Sequence, residues 1–411
     1  MRPLKKIVVI VGIYFLILFT NSFGSILTKI FEEQGNNSIS PFLFIWNYTI
    51  FMISNLFAPL IHYSSKWLIS LTALAYGTHY FTGYIISDLN GTSQYVVAAI
   101  GTIVSGIFSA VSWINIGTYI HDACNLHNEM DNKGRHYGLF TTLYSMSLIT
   151  GALVITFGLS LMSERNYFIL ITGIAVFAFC FSAVFMKDIK STREKKDVRK
   201  LSIKEIFLST LKYYPQMAPV LGMIFVDGLN IGVQTSTLLR LIPITDDKKQ
   251  DLLHAGFCTI SSGVGGFFGG YLGGKLCDKF GTKRISTIAM CLNIVVYALI
   301  LGASFFEQLP VSLVVSFVFG FEYYFLEGCL MVICSRTFHG HPESFAIVKQ
   351  FHCFSFVLYE VLAMSTENSI EIKYLMVGLM VLCIPGLMGI RRLPREEEKK
   401  ESLLEGVETD E

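Results

Sequence analysis

Long apolar segments recur along the whole chain and are the strongest constraint on its fold. Twelve of them approach the ~20 residues that a helix needs to cross the hydrocarbon core of a bilayer. They lack the alternation of apolar and polar residues that a transmembrane barrel requires. Helices satisfy all their backbone groups within one segment, so such segments favour membrane-spanning helices. The predicted spans are residues 6–27, 41–61, 67–87, 94–120, 137–162, 166–186, 215–242, 253–274, 285–305, 309–334, 344–365 and 372–390.

The composition agrees with a membrane protein. Of the 411 residues, 52% are apolar and only 15% are charged, against about 25% charged in an average soluble domain. The mean hydropathy of +0.54 means that one water-soluble core cannot bury the apolar surface, so lipid must cover part of it. The net charge of +1 argues against a nucleic-acid partner. We therefore predict an all-α membrane protein with twelve transmembrane helices.

Basic residues collect at the N-terminus, in the loops after spans 4, 6 and 8, and in the tail, which predicts the orientation of the chain. The positive-inside rule places such loops in the cytosol, and with twelve spans both termini are then cytosolic. Two Asn-x-Ser/Thr triplets, at Asn36 and Asn90, fall in loops on the opposite side. Both are candidate glycosylation sites, and glycosylation there requires a secretory-pathway membrane, which favours a plasma membrane or endomembrane over a mitochondrial membrane.

A basic stretch over residues 187–214 divides the chain into two sets of six spans, 1–186 and 215–390. Within this cytosolic linker, residues 201–211 have apolar residues at helical spacing and predict a helix lying at the membrane interface. Residues 391–411 are highly charged and predict a disordered cytosolic tail. Two six-helix bundles with a cytosolic connector are typical of a two-repeat transporter with its site near the bilayer midplane.

The loop between spans 8 and 9 carries the sharpest local motif. Its glycine at 281 permits a tight turn, and its aspartate can contact the end of a neighbouring helix. The basic residues can hold the cytosolic side of the bundle shut, although an ordinary positive-inside loop is the alternative interpretation. The motif residues are Gly274, Asp278, Lys279, Gly281, Lys283 and Arg284.

This spacing resembles the loop signature of the major facilitator superfamily, which has glycine, three residues, aspartate, a basic residue, one residue and a second glycine. The resemblance implies a cytosolic gate. The corresponding loop of the first half, over residues 58–66, lacks the motif, so we expect the gate to be asymmetric.

Span 8 also carries two rows of glycines with a four-residue period. This period places each row on one helix face, where a neighbouring backbone can approach closely. We predict a packing role for both rows. They are Gly265, Gly269 and Gly273, and Gly266, Gly270 and Gly274.

A second set of residues, spread from span 4 to span 11, is similar to the signature of the uncoordinated-ninety-three family, a branch of the same superfamily. These residues are Trp113, Gly117, Thr118, Tyr119, Gly138, Phe140 and Lys349. The resemblance implies a two-repeat fold of twelve helices. Because some members regulate potassium channels and others escort membrane receptors, it also implies a membrane-protein partner as an alternative to a solute. The family often has Gly-x-x-Asp in span 10, where this chain reads Gly320-Phe-Glu322.

Ionisable side chains within a membrane are costly and mark a functional site by default. One hypothesis is that Asp227, with one or both of Glu322 and Glu360, lines a central cavity and binds a cation or a proton. Hydrogen bonding between helices by protonated or paired acids is the alternative. We expect Lys349 near the cytosolic edge, where a lysine can snorkel. The candidate site residues are Asp227, Glu322, Glu327 and Glu360.

The sequence contains no HExxH, GxSxG or phosphate-loop motif, so we expect no enzyme activity and no cofactor. A cluster of metal-like residues with irregular spacing is expected to lie in a solvated loop and to bind no metal. Its members are His121, Asp122, Cys124, His127, Glu129 and Asp131. The leading expectation is a transporter-like protein that moves or senses a small solute or cation by alternating access. The alternative is a non-transporting accessory subunit that regulates an ion channel or escorts a membrane receptor.

Overall fold

The structure of the chain is a computed structural model. It describes residues 3–20, 39–60, 66–89, 91–189, 203–238, 241, 248–306, 308–364 and 369–393. The glycosylation candidates Asn36 and Asn90, most of the linker and the tail from residue 394 lie outside these ranges.

Twelve α-helices and no strand are present in the described ranges, which confirms the predicted all-α fold class. A 3₁₀ turn over Asn55–Leu60 follows α2, and a π-helical turn over Val233–Thr237 extends α7. The helices are α1 (Pro3–Leu18), α2 (Ile39–Ser54), α3 (Lys66–Ile86), α4 (Thr92–Leu126), α5 (Lys133–Leu161), α6 (Glu164–Phe185), α7 (Ile203–Gly232), α8 (Lys248–Phe280), α9 (Thr282–Ala303), α10 (Leu309–Arg336), α11 (Pro342–Met364) and α12 (Ser369–Ile390).

Eight of the described helices are long and apolar enough to cross a membrane by length and composition alone. They are α4, α5, α6, α7, α9, α10, α11 and α12. The described parts of α1 and α2 have 16 residues each. So many apolar helices make the chain an integral, multi-pass membrane protein.

The helices pack as two bundles that follow the order of the chain. In the first half, α4 packs against α2 and α3, α3 packs against α6, and α1 packs against α5. In the second half, α7 packs against α11 and α12, while α10 packs against α8 and α9. The main contacts between the halves are α5 with α8 and α2 with α11. The two halves therefore meet mainly along these two helix pairs, with smaller contacts of α5 with α10 and of α4 with α11.

One end of the molecule carries many basic residues, and we call it the basic end. Here α5, α9 and α11 begin while α4, α8 and α10 end. The end of α12 lies here too, because Lys283 Nζ donates hydrogen bonds to the carbonyl oxygens of Arg391 (2.7 Å) and Leu393 (2.6 Å). The basic residues at this end include Lys133, Arg135, Lys279, Lys283, Arg284 and Arg336.

Several helices, among them α4, α7 and α8, are longer than predicted. The predicted interfacial helix over 201–211 is continuous with α7 from Ile203 onward, and Pro215 and Pro219 lie inside this helix without ending it. A proline removes one backbone hydrogen bond and bends a helix, but flanking turns can carry the helix past it. Similarly, α4 continues to Leu126, so His121 and Asp122 are buried on a helix and the predicted solvated loop is wrong at these positions.

Candidate binding cavity and its closure

A cavity of about 220 Å³ lies between the two halves. In the first half, α2, α3, α4 and α5 line it together with Phe19, which follows α1. In the second half, α7, α8, α10 and α11 line it. Both bundles thus contribute to one site, as expected for a site at a repeat interface.

Aromatic rings form most of the wall from the first half. The rings of Trp113 and Tyr144 meet edge to face with centroids 5.3 Å apart, and those of Phe19 and Tyr76 do so at 5.2 Å. Such contacts hold the rings in fixed orientations. The Ser109 hydroxyl donates a 2.8 Å hydrogen bond to the Tyr76 hydroxyl. This wall is mainly aromatic and carries no Asp, Glu, Lys or Arg, and His79 also lines the cavity.

The second half supplies a buried ion pair to the wall. Lys349 Nζ on α11 lies 3.0 Å from Glu327 Oε1 on α10, and the two residues are only 4% and 3% exposed. The same ammonium lies 4.1 Å from the centre of the Trp113 ring, within the range of a cation–π contact. The Glu327 Oε2 atom is buried and accepts no hydrogen bond from the described residues.

The expected position of Lys349 near the cytosolic edge is wrong. The lysine lies inside the bundle because Glu327 supplies its counter-charge and Trp113 covers it. A lysine with a buried carboxylate partner has no need to reach the membrane surface, whereas an unpaired one does.

Behind the wall, His352 and Asp227 form a second buried pair. The Nδ1 atom of His352 lies 2.6 Å from Oδ2 of Asp227, which is fully buried on α7. His352 lines the cavity, so it stands between the cavity and the aspartate. The Asp227 Oδ1 atom has no hydrogen-bond partner among the described residues.

Two of the predicted site acids bind other helices. Glu322 accepts hydrogen bonds from the side-chain amides of Asn293 and Asn230, the latter at 3.3 Å. Glu360 Oε1 accepts hydrogen bonds of 2.8 Å from the hydroxyls of Thr235 and Ser236 in the π-helical turn. These are contacts between helices, which the sequence left open as the alternative interpretation.

The predicted cavity arrangement therefore needs correction. Among the four candidate acids, Glu327 lines the cavity, whereas Asp227, Glu322 and Glu360 do not. Glu322 and Glu327 are five residues apart and so point about 140° apart on one helix. This places Glu322 toward α7 and α9 when Glu327 faces the cavity.

Asp278 closes the basic end by joining the two halves. Its carboxylate, near the end of α8, accepts hydrogen bonds from the backbone N–H groups of Gly134 (2.8 Å) and Arg135 (2.6 Å). These groups lie in the first turn of α5, where unpaired N–H groups favour an anion. Arg336 Nη2 at the end of α10 lies 2.5 Å from Asp278 Oδ1 and donates to the carbonyl oxygen of Asp131 (2.6 Å).

The other residues of the motif shape the turn around Asp278. Gly281 has φ +81°, a backbone conformation that glycine adopts without strain, and it separates α8 from α9. Lys283 holds the end of α12, while Lys279 and Arg284 are exposed. A Cβ atom on Gly274 would lie 2.0 Å from the Gly134 carbonyl oxygen, so glycine is needed where α8 crosses α5.

The two glycine rows of α8 face different helices. A Cβ atom on Gly265 or Gly269 would lie 2.0 or 1.9 Å from a backbone carbonyl oxygen of α10, and Gly273 faces the same helix. Gly266 packs against Tyr324 and Ser145, while Gly270 and Gly274 pack against the α5 backbone. One row therefore packs α8 against α10 within its own half, and the other lies at the contact with α5 of the other half.

The signature residues outside the cavity lie between it and the basic end. The ring of Phe345 on α11 packs against Gly117, where a Cβ atom would lie 2.4 Å away. The Tyr119 hydroxyl donates to the carbonyl oxygen of Lys187 at 2.6 Å. Thr118 bonds within α4, Gly138 faces Gly270 of α8, and the Phe140 ring packs on Phe15.

A polar cluster that the sequence did not reveal adds a second closure at the basic end. His121 Nδ1 on α4 lies 2.8 Å from the Ser335 hydroxyl on α10. The buried Lys133 Nζ on α5 lies 3.3 Å from both His121 Nδ1 and the Ser335 carbonyl oxygen. Gly340, with φ +65°, lets the turn after α10 approach the His121 ring. Only the tertiary fold brings these residues together.

Two helical bundles around a cavity, with one end closed between them, are the fold of a membrane transporter. The chain belongs to the Major Facilitator Superfamily, whose sequence profile matches residues 9–358. No curated protein sequence matches the chain.

Solved structures of this fold superpose over nearly the whole chain. The crystal structure of a point mutant of the nucleoside transporter NupG has a TM-score of 0.65 and 12% identity, covering 95% of this chain and 99% of that one. The crystal structure of the human organic anion transporter MFSD10 (TETRAN) has a TM-score of 0.69 and 11% identity, covering 95% and 100%. At these identities the likeness concerns the fold alone.

Proposed function

We propose that the chain is a secondary transporter that moves a small organic solute by alternating access. The observation that carries this proposal is the cavity between the two halves, with the buried Glu327–Lys349 pair in its wall. Asp278 closes the cavity from the basic end through bonds between the halves. Breaking these few polar bonds and rocking one bundle against the other would expose the cavity at that end.

The names of the similar structures support an organic solute, since one protein is described as a nucleoside transporter and the other as an organic anion transporter. We assign the basic end to the cytosol by the positive-inside rule. We also place the chain in the uncoordinated-ninety-three branch, on the signature residues that run from Trp113 to Lys349. The accessory-subunit alternative draws on this resemblance and on the first-half loop over residues 58–66, which lacks the gate motif. The proposed activity needs no enzyme chemistry and no cofactor.

Alternating access can be tested without knowing the solute, because Cys258 lines the cavity. A variant that keeps Cys258 and lacks the other cysteines is reconstituted in sealed proteoliposomes and treated with a membrane-impermeant thiol reagent from either side. We expect labelling from the face opposite the basic end. The Asp278→Asn variant should gain labelling from the basic face, because it loses the carboxylate that holds α5.

The matched control is Lys279→Gln, since Lys279 is exposed on the same turn and does not join the halves. It should label like the parent. If Asp278→Asn also labels like the parent, or if Cys258 is inaccessible from both faces, the proposal is wrong.

A further inference from the structure

We infer that the cavity binds a zwitterionic solute with a flat aromatic body. Its ammonium group binds Glu327, its carboxylate binds Lys349, and its ring lies against the aromatic wall of the first half. The inference rests on the proposed transport function and names the class of solute.

The two buried charges of the cavity favour a solute with no net charge. Glu327 and Lys349 carry opposite charges and are both buried in the cavity wall. A solute with a single charge would leave this buried site with a net charge, which is expensive in a medium of low dielectric constant. A zwitterion presents one charge to each member of the pair and leaves the sum at zero.

The ion pair also has unused hydrogen-bonding capacity. Glu327 Oε2 is buried without a partner among the described residues, and a buried acceptor in this state favours a ligand with a donor. Lys349 has three N–H donors and uses one on Glu327 Oε1. It therefore has donors left for a carboxylate, so each charged end of a zwitterion finds a partner at the ion pair.

The other buried acids near the cavity have hydrogen-bond partners on neighbouring helices, and none of them lines the cavity. His352 is bonded to Asp227, and Glu322 is bonded to two asparagine amides on α7 and α9. Glu360 is bonded to hydroxyls that follow α7. Asp227 Oδ1 also lacks a partner among the described residues, but Asp227 does not line the cavity. The Glu327–Lys349 pair is thus the ion pair whose unused hydrogen-bonding capacity a solute can reach.

The shape and polarity of the opposite wall favour an aromatic body. Trp113 already covers one cation, the Lys349 ammonium, while Phe19, Tyr76 and Tyr144 present ring faces and edges. Rings held in fixed orientations favour a flat aromatic body over a branched or strongly hydrated one. The solute therefore lies with its charged end toward α10 and α11 and its ring toward α3, α4 and α5.

Three compounds with the same ring and different charges test this inference. They are L-phenylalanine (zwitterion), 3-phenylpropionate (anion) and 2-phenylethylamine (cation), each supplied in radiolabelled form to proteoliposomes at pH 7. We expect saturable uptake of phenylalanine at least about tenfold above that of either analogue, because a site with buried charges rejects a ligand that leaves one unpaired.

Single substitutions should switch the preference. Glu327→Gln leaves the Lys349 ammonium without a counter-charge, so uptake should shift toward the anion phenylpropionate. Lys349→Gln leaves the Glu327 carboxylate without a counter-charge, so uptake should shift toward the cation phenylethylamine. Glu322→Gln is the matched control, since Glu322 is an equally buried acid of α10 that does not line the cavity. It should keep the preference of the parent.

A variant with both charges exchanged, Glu327→Lys with Lys349→Glu, guards against misfolding because it keeps the site neutral. It should retain the preference for phenylalanine. Equal or better uptake of a singly charged analogue by the parent, or a switch caused equally by Glu322→Gln, overturns the inference. Uptake of none of the three compounds also overturns it, while labelling of Cys258 from alternating faces would leave the transport proposal standing.

Discussion

Glu327 and Lys349 form an ion pair inside the bundle, where burying either charge without its partner would be energetically costly. Their side chains come from two helices of the second half and lie under Trp113 of the first. In such surroundings the attraction between the charges offsets the loss of their hydration only while both partners are present. The pair is therefore both a structural contact and the main polar feature of the cavity.

Removing one member of this pair should destabilise the protein more than removing both. We expect Glu327→Gln and Lys349→Gln each to lower the free energy of unfolding by about 3–5 kcal/mol, because each leaves a buried charge without its partner. The double Gln variant should recover most of this loss. Thermal unfolding in detergent, followed by intrinsic fluorescence, measures the cycle. Additive losses in the double variant would mean that the two charges do not interact.

The sequence identified the acids in the membrane but not their partners. Glu327 and Lys349 are both charged residues inside apolar spans and so were visible from composition. Helical periodicity gives the face on which a residue lies, but it does not say which neighbouring helix covers that face. For this reason the pairing of Lys349 with Glu327, and of His352 with Asp227, needed the tertiary structure.

Helix α8 joins its neighbours through two glycine-lined faces. The row with Gly269 touches the backbone of α10 in the same half, and the row with Gly270 touches α5 in the other half. In a membrane, close backbone contact replaces the hydrophobic driving force between helices. The four-residue period was readable from the sequence, whereas the identity of each partner was not.

Adding a methyl group to a glycine of α8 should therefore separate α8 from α10. A Cβ atom on Gly269 would lie 1.9 Å from the Phe321 carbonyl oxygen, so the helices must move apart in Gly269→Ala. We expect the free energy of unfolding to fall by about 1–3 kcal/mol, as it does at other overpacked sites. In Gly378→Ala the new methyl meets nothing within 4 Å, and helix propensity predicts a gain in stability of up to about 1 kcal/mol. Equal thermal stability of the two variants would contradict this packing.

Asp278 acts as a cap for the first turn of α5, because its carboxylate accepts hydrogen bonds from the Gly134 and Arg135 N–H groups. Replacing Asp278 with Ala should expose the Gly134 and Arg135 N–H groups to water and speed their hydrogen exchange. The Lys279→Ala variant should leave exchange unchanged, because Lys279 is exposed and does not cap α5. Mass spectrometry of peptides covering residues 130–140 measures the effect. Unchanged exchange in Asp278→Ala would mean that this carboxylate does not cap α5.

The number and order of the helices followed from the apolar segments, while several helix ends did not. Both α4 and α8 run about six residues beyond the predicted spans, to Leu126 and Phe280. These extra turns are polar, so hydropathy ends the span before the helix ends. They carry His121 and Asp278, which form the closure at the basic end. The parts that hydropathy missed are thus those that join the halves outside the apolar core.

At the scale of the whole molecule, two contact regions close the basic end, and they use different side chains. One lies between α5 and α8, and the other lies around α4, α10 and α11. The α5–α8 region has the Asp278 motif, which the first half lacks in its own sequence. Around α4, α10 and α11, the polar cluster of His121, Lys133 and Ser335 and the packing of Phe345 on Gly117 take its place. A transporter with this arrangement must break two chemically different contacts to open at the basic end.

Motion between the two halves is what alternating access requires, and the distance across each end measures that motion directly. Spin labels at Arg135 and Lys279 report on the basic end, and labels at Leu161 and Leu253 report on the opposite end, all at exposed positions of α5 and α8. Double electron–electron resonance on the reconstituted protein should show two distances between the labels at the basic end, a short one for the closed state and a long one for the open state. Asp278→Asn should increase the long population there and shorten the distance at the opposite end. A single distance at both ends, unchanged by Asp278→Asn, would contradict alternating access.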